Sequence, residues 1–262
     1  MCGLAGAILG EKRRRPDELR IISGIFTELL VLNEVRGKHA AGVAVIRKNG
    51  RYRLLKRPGP ARQLVADKSY PRVLDLDNRV TVVLGHTRYK TRGSEQNSRN
   101  NHPIRAGRVM GTHNGHLANA DHLAKKLRLR RTAEVDSEVL FRLASRAKDT
   151  DHFLRLLAGC RGRMSAAFVR LDEPHQAHLV KGDMPLSAAY VPRLRTVFYA
   201  SEEQMLDHVL EGQPWEMLEL DPFTLSVLDS RCLLDFTQRD VSFRCPAADV
   251  FVDEQGKLPF TD

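Results

Sequence analysis

Hydrophobic and polar positions alternate in blocks that mark out a run of strands and helices. Residues 3–9 (Gly-Leu-Ala-Gly-Ala-Ile-Leu) are small and apolar without alternation, the pattern of a strand buried on both faces. Residues 11–15 are polar and read as a loop. Pro16-Asp17-Glu18 then opens a helix, with proline early and acids in the first turn. Leu19, Ile22, Phe26, Leu29 and Leu30 recur at helical spacing up to Leu32. Residues 36–42 read as a turn, and 43–46 and 52–55 as strands that pair across Asn49-Gly50, a hairpin dipeptide. Residues 58–79 show no clear period. A strand at 80–84 runs into Gly85-His86-Thr87-Arg88-Tyr89, and another at 108–112 ends at His113-Asn114-Gly115-His116. Helices are predicted over 120–129, 136–147 and 150–158, the second with acids at its positive end. Strand-like runs at 164–170, 177–181, 187–191, 195–200, 215–220 and 223–228 follow, interrupted by a short helix at 202–210. Strands in clusters with helices between the clusters predict an α+β layered fold rather than a strict βαβ sheet.

Composition narrows this picture. A chain of 262 residues suits one large domain or two small ones. We divide it into a domain over residues 1–230 and an acidic C-terminal extension over 231–262. Nothing in it resembles a repeat, a low-complexity tract or a Gly/Ser linker. No run of about 18 apolar residues is present, and the N-terminus lacks the pattern of a secretory signal, so no membrane partner is expected. The four cysteines, Cys2, Cys160, Cys232 and Cys245, share no C-x-x-C spacing. That predicts neither a zinc site nor a disulfide framework, and a reducing, cytoplasmic setting. Charge is divided unevenly: residues 1–200 hold 38 Lys and Arg against 18 Asp and Glu, and residues 201–262 hold 4 against 14. The expected consequence is a solvated basic face partly neutralised by the acidic end. A nucleic-acid surface is the alternative.

The candidate chemistry begins at the second residue. If Met1 is removed, Cys2 carries a thiol and a free α-amine on one Cα, a nucleophile with its own base. The amine, with a pKa of roughly 7.7–8.0, is partly neutral at physiological pH and can take the proton of a thiol whose pKa is roughly 8.5. Three further places supply what hydrolysis of a glutamine side-chain amide needs. Arg88 offers a planar fork for the α-carboxylate, and Asp136 a carboxylate for the α-ammonium. Asn114 and Gly115 offer a side-chain amide and a backbone N–H for the oxyanion. Taken singly, Arg88 reads as a structural ion-pair residue, Asp136 as a helix cap and Asn114-Gly115 as a turn. Their joint occurrence with Cys2 outweighs those readings. His113 and His116 have no accompanying ligand cluster, so no metal and no cofactor is expected.

These residues fall in Met1-Cys2-Gly3, Arg36-Gly37 with Ala41-Gly42, Gly85-His86-Thr87-Arg88-Tyr89, Asn101-His102-Pro103, His113-Asn114-Gly115 and Val135-Asp136-Ser137-Glu138-Val139-Leu140. In that order they resemble the class II glutamine amidotransferases, the N-terminal-nucleophile amidohydrolases. The glutaminase halves of glutamine phosphoribosylpyrophosphate amidotransferase and glucosamine-6-phosphate synthase belong to that group. Later segments, Lys181–Leu186, Phe198–Glu202 and Glu219–Pro222, extend the resemblance over about residues 2–228. The resemblance implies a four-layer αββα sandwich of two mostly antiparallel sheets. It implies Cys2 as nucleophile, Asn114 and Gly115 as the oxyanion hole, Arg88 and Asp136 as the clamps for L-glutamine, and Thr91 and Gly93 as contacts of a glutamine loop. Arg92 and Tyr89 depart from the histidine and tryptophan that synthase-like members often carry there.

Family enzymes usually fuse this domain to a synthase that consumes the ammonia, and too few residues follow position 228 for such a domain. The expectation is therefore a free-standing glutaminase subunit that supplies a separate synthase chain. The competing readings are another N-terminal-nucleophile amidohydrolase, which would not need Arg88 and Asp136, and a non-catalytic scaffold binding a partner or nucleic acid.

Overall fold

The computed structural model describes residues 1–243. Positions 244–262, with Cys245, lie outside the described residues. Among those described, every strand pairing is antiparallel, and the strands form two sheets. Their order along the chain is β1 (Gly3–Leu9), β2 (Ala40–Arg47), β3 (Tyr52–Pro58), β4 (Val80–Arg88), β5 (Ile104–Ala106), β6 (Val109–Leu117), β7 (Gly162–Arg170), β8 (Gln176–Lys181), β9 (Ser187–Val191), β10 (Thr196–Ala200), β11 (Glu216–Leu218), β12 (Thr224–Asp229) and β13 (Thr237–Asp240). The first sheet has the order β11-β9-β10-β1-β4-β2-β3, and the second β13-β12-β8-β7-β6-β5. The helices are α1 (Pro16–Leu32), α2 (Ala61–Val65), α3 (Tyr70–Val73), α4 (Ala120–Lys126), α5 (Ser137–Arg146), α6 (Thr150–Leu157) and α7 (Glu203–Val209).

Three apolar clusters fill the three gaps between four layers. Ala5, Ala7 and Leu9 face Ile22, Phe26 and Leu29 of α1 and Leu206 of α7. Leu4 and Ile8, on the other face of β1, meet Met110, Ala167 and Val169 of the second sheet. That sheet's far face packs Val109, Ala166 and Phe168 against Leu140, Phe141 and Leu143 of α5. The uninterrupted apolar run of β1 follows from this, since it is central in its sheet and covered on both sides. The predicted α+β sandwich of two antiparallel sheets is therefore what the chain forms.

Local differences have local causes. The stretch read as a turn at 36–42 is instead the end of a 3-10 turn over Asn33–Arg36, a three-residue link at 37–39 and the start of β2, because Ala40, Ala41 and Gly42 pair with Arg88, Thr87 and His86. The predicted hairpin across Asn49-Gly50 is present, with Ile46 opposite Tyr52 and Gly50 at φ +75°. The helix expected to reach 129 ends at Lys126, because Arg128 turns left-handed (φ +51°) and Leu129 N–H closes back on the Ala124 carbonyl at 2.8 Å. Strand β6 runs past His113 to Leu117, pairing with β7 along its whole length. No helix among the described residues is long and apolar enough to cross a membrane.

Candidate active site

The start of β1, the end of β4 and the end of β6 meet at one edge of the sandwich around a cavity of about 330 Å³. Cys2, Thr91, Asn114 and Gly115 line it, together with Met1, Arg36 and Tyr89. Cys2 keeps some exposed surface, but its thiol is enclosed: Sγ accepts the Tyr89 N–H at 3.4 Å. Burial pushes the Cys2 thiol up from its ordinary value, against the Tyr89 backbone contact, the nearby chain terminus and Arg88, which pull it down. Burial is also the largest influence on the Met1 amine, which it lowers. Gly3 is required next to the thiol. A Cβ there would sit 2.5 Å from Thr87 Oγ1 and 2.6 Å from Asn33 Oδ1.

Arg88 ends β4 and is 3% exposed. Its Nη1 donates to Asn101 Oδ1 at 2.7 Å, and its Nη2 to the carbonyls of Arg92 and Gly93 at 2.5 and 2.8 Å. The side predicted to face a substrate carboxylate is thus partly taken by the loop of Thr91 and Gly93. Asp136 precedes α5 but does not cap it through its side chain. Its Oδ2 accepts the Leu117 N–H at 2.6 Å instead, and His116 Nδ1 stands 3.7 Å away. Arg88 and Asp136 are both close enough to act electrostatically on the Cys2 thiol.

Asn114 is 1% exposed, and neither its Oδ1 nor its Nδ2 has a hydrogen-bond partner. An unpaired buried amide costs about 1–3 kcal/mol, so its presence at a cavity wall marks a place where a guest completes it. Gly115 lies at φ +137°, and a Cβ there would fall 2.0 Å from the Arg163 carbonyl; only glycine gives the strand this path.

Sequence reasoning missed the role of Arg36, though it quoted Arg36-Gly37. Arg36 Nε donates to the Cys2 carbonyl at 2.9 Å, and its Nη1 pairs with Glu202. Ser201 clasps the next residue but one, accepting the Leu4 N–H on Oγ at 2.9 Å and donating its own N–H to the Leu4 carbonyl at 3.0 Å. The signal was the Ser201-Glu202 pair at the end of a strand predicted only as structural. Among the described residues, no group of three His, Cys, Asp or Glu side chains is arranged to hold a metal ion.

No family model matches the chain. It is 27% identical over 246 residues to the 7-cyano-7-deazaguanine synthase of Saccharolobus solfataricus, covering 89% of this chain and 50% of that protein. It is 31% identical over 196 residues to the glutamine–fructose-6-phosphate aminotransferase (isomerizing) of Aeropyrum pernix, covering 71% of this chain and 30% of that one. The solved structure of glutamine phosphoribosylpyrophosphate amidotransferase from B. subtilis, complexed with ADP and GMP, matches with a TM-score of 0.68 at 20% identity. That match covers 91% of this chain and 49% of the other. The resemblance to class II glutamine amidotransferases thus extends from motifs to sequence and fold. The chain spans about half the length of the 7-cyano-7-deazaguanine synthases it matches.

Proposed function

We propose that this chain is a glutaminase component of a class II glutamine amidotransferase, with Cys2 as nucleophile once Met1 has been removed. The observation that carries the reading is one cavity lined by both an enclosed thiol on the second residue and the unpartnered amide of Asn114 beside Gly115. With Met1 attached, the Cys2 nitrogen is an amide and cannot act as base. With Met1 gone, Cys2 carries a free amine beside its thiol, and burial of the kind that lowers the Met1 amine favours the neutral, proton-accepting form. The raised thiol needs such a base.

The amine takes the thiol proton as Sγ attacks the side-chain carbonyl carbon of L-glutamine. Asn114 Nδ2 and the Gly115 N–H receive the oxyanion. The amine returns the proton to the leaving nitrogen, ammonia departs, and a thioester remains. Water, deprotonated by the same amine, hydrolyses it to glutamate. Asp136 takes the α-ammonium, and the α-carboxylate displaces the Arg92 and Gly93 carbonyls from Arg88. Arg36, by holding the Cys2 carbonyl, keeps the nucleophile at the cavity wall. The ammonia goes to a synthase unit outside the described residues; the relatives carry as much sequence again, or more, beyond the matched part.

The test is release of glutamate from L-glutamine by purified protein whose intact mass shows loss of one methionine. N-acetylglutamine, which cannot offer an ammonium to Asp136, serves as the control. Turnover of both at equal rates, or of neither, would remove the assignment.

A further inference from the structure

Behind the cavity three buried side chains tie its walls together. His86 lies on β4 of the first sheet, and its Nε2 is 3.0 Å from the His113 carbonyl on β6 of the second. The His113 ring turns the other way, toward α5, where its Nδ1 is 2.8 Å from Ser137 Oγ. His113 and Ser137 are 1% and 4% exposed. Ser137 directly follows Asp136, whose carboxylate accepts the Leu117 N–H. Two bonds of opposite sense therefore join β6 to the start of α5: a side chain of the strand reaches the helix at residue 113, and a side chain before the helix reaches the strand at residue 117. Asn114 and Gly115 lie between these two ties. The proposed oxyanion donors and the proposed ammonium clamp are thus mounted on one cross-braced unit.

We infer that the His113–Ser137 hydrogen bond is a positioning contact that fixes the separation between the Asn114/Gly115 donors and the Asp136 carboxylate. This inference rests on the glutaminase reading. The Cα and amide carbon of glutamine are three bonds apart, so the site must hold its two ends at one spacing. Misplacement by about 1 Å costs as much as 10²-fold in rate. The bond does not touch substrate. It acts through Asn114 on one side and Asp136 on the other, and the His86 contact carries the same placement across to the sheet that bears Cys2.

The experiment compares the full chain, Met1 removed, with Ser137→Ala, His113→Leu and His113→Asn. The amide of asparagine replaces the ring Nδ1 in position and hydrogen-bonding capacity. Substrates are L-glutamine and 4-carbamoylbutanoate, which keeps the amide and carboxylate but lacks the α-amine. Ser137→Ala and His113→Leu are expected to lower kcat/KM for glutamine about 10-fold to 10²-fold. They are expected to shrink the preference for glutamine over the amine-free substrate by about tenfold, since the clamp is no longer in register with the donors. His113→Asn should restore most of both. A merely structural bond would lower both substrates alike, in step with the melting temperature, and leave the preference intact; that result overturns the inference. So does a folded Ser137→Ala protein with unchanged constants, which decides the matter even if His113→Leu does not fold. If the parent protein itself releases no glutamate, it is the glutaminase reading that fails.

Discussion

The two walls of the cavity treat their polar groups in opposite ways. On the side of the first sheet, the Cys2 carbonyl is held by Arg36 at the cavity, and the Arg88 guanidinium, buried behind the lining, already has three acceptors. On the wall from the second sheet, the Asn114 amide has no partner at all. The first wall is built to hold its groups still; the second leaves a donor waiting. Folding alone disfavours the second arrangement, because a buried amide without partners loses water and gains nothing. A bound oxyanion supplies what is missing. The contrast separates residues whose loss should harm placement from the one whose loss should harm only the chemical step.

The largest effect comes from the nucleophile itself. Cys2→Ala should lower glutamine hydrolysis by on the order of 10⁴-fold or more, as removal of a covalent nucleophile does elsewhere. A chain that keeps Met1 should be similarly inactive. A thiol-directed glutamine analogue should add its mass to Cys2 and leave Cys160 untouched; burial pushes the Cys160 thiol up to about 12. Peptide mapping reads this directly, and full activity from a chain retaining Met1 would contradict the mechanism.

Asn114→Ala comes next and tests the waiting donor. It should lower kcat by about 10²–10³-fold with little change in KM. Its melting temperature should hold or rise, since the variant deletes an unpaired buried amide rather than a satisfied one. Loss of stability together with near-normal turnover would reverse the contrast between the walls.

Arg88→Lys probes the held wall. An ammonium cannot reproduce the fork, and losing a charged hydrogen bond of about 1.5–3 kcal/mol corresponds to a KM increase of roughly 10–10²-fold. Here the melting temperature should fall as well, because Asn101 and the carbonyls of Arg92 and Gly93 lose their shared donor. Steady-state kinetics paired with thermal unfolding distinguishes this double effect from the single effect at Asn114.

Much of this division was legible in the sequence. The strand at β1, the hairpin at Asn49-Gly50 and the helix after Asp136 each carried a local signal: an apolar run, a turn dipeptide, acids at a helix start. Cys2, Asn114 and Gly115 could be placed together because their chemistry is complementary, and the cavity does bring them together. What could not be read were contacts with no local signature. Arg36 reaches the Cys2 carbonyl across 34 positions, and its partner Glu202 lies 166 positions on. The start of β2 was hidden because Ala40–Gly42 become strand only through pairing with β4. Asp136 looked like a helix cap, yet its carboxylate goes to Leu117 of a strand the sequence reading ended too early.

The smallest effect sets the site's histidines against one remote from it. Burial holds His86 down to about 3, and holds His102 and His113 below the usual imidazole range. It also holds His178, which stacks on Phe168 beneath the outer helices, down to about 4. All four are neutral in the folded chain at neutral pH. A depressed folded value means that stability is full above about 6.5, where the unfolded imidazole also loses its proton. It is lost as pH falls, because the unfolded chain takes up protons that the folded chain refuses. Between pH 7.5 and pH 5, His178 alone should account for about 2 kcal/mol of that loss. His178→Gln should therefore flatten the decline by about that amount when urea unfolding is followed at several pH values, whatever the substitution costs in packing at pH 7.5. Glutamine hydrolysis measured at pH 7.5 should be unchanged, since His178 lines a separate cavity at the other end of β7. An unaltered pH slope in the variant would show that burial at this position does not control its proton.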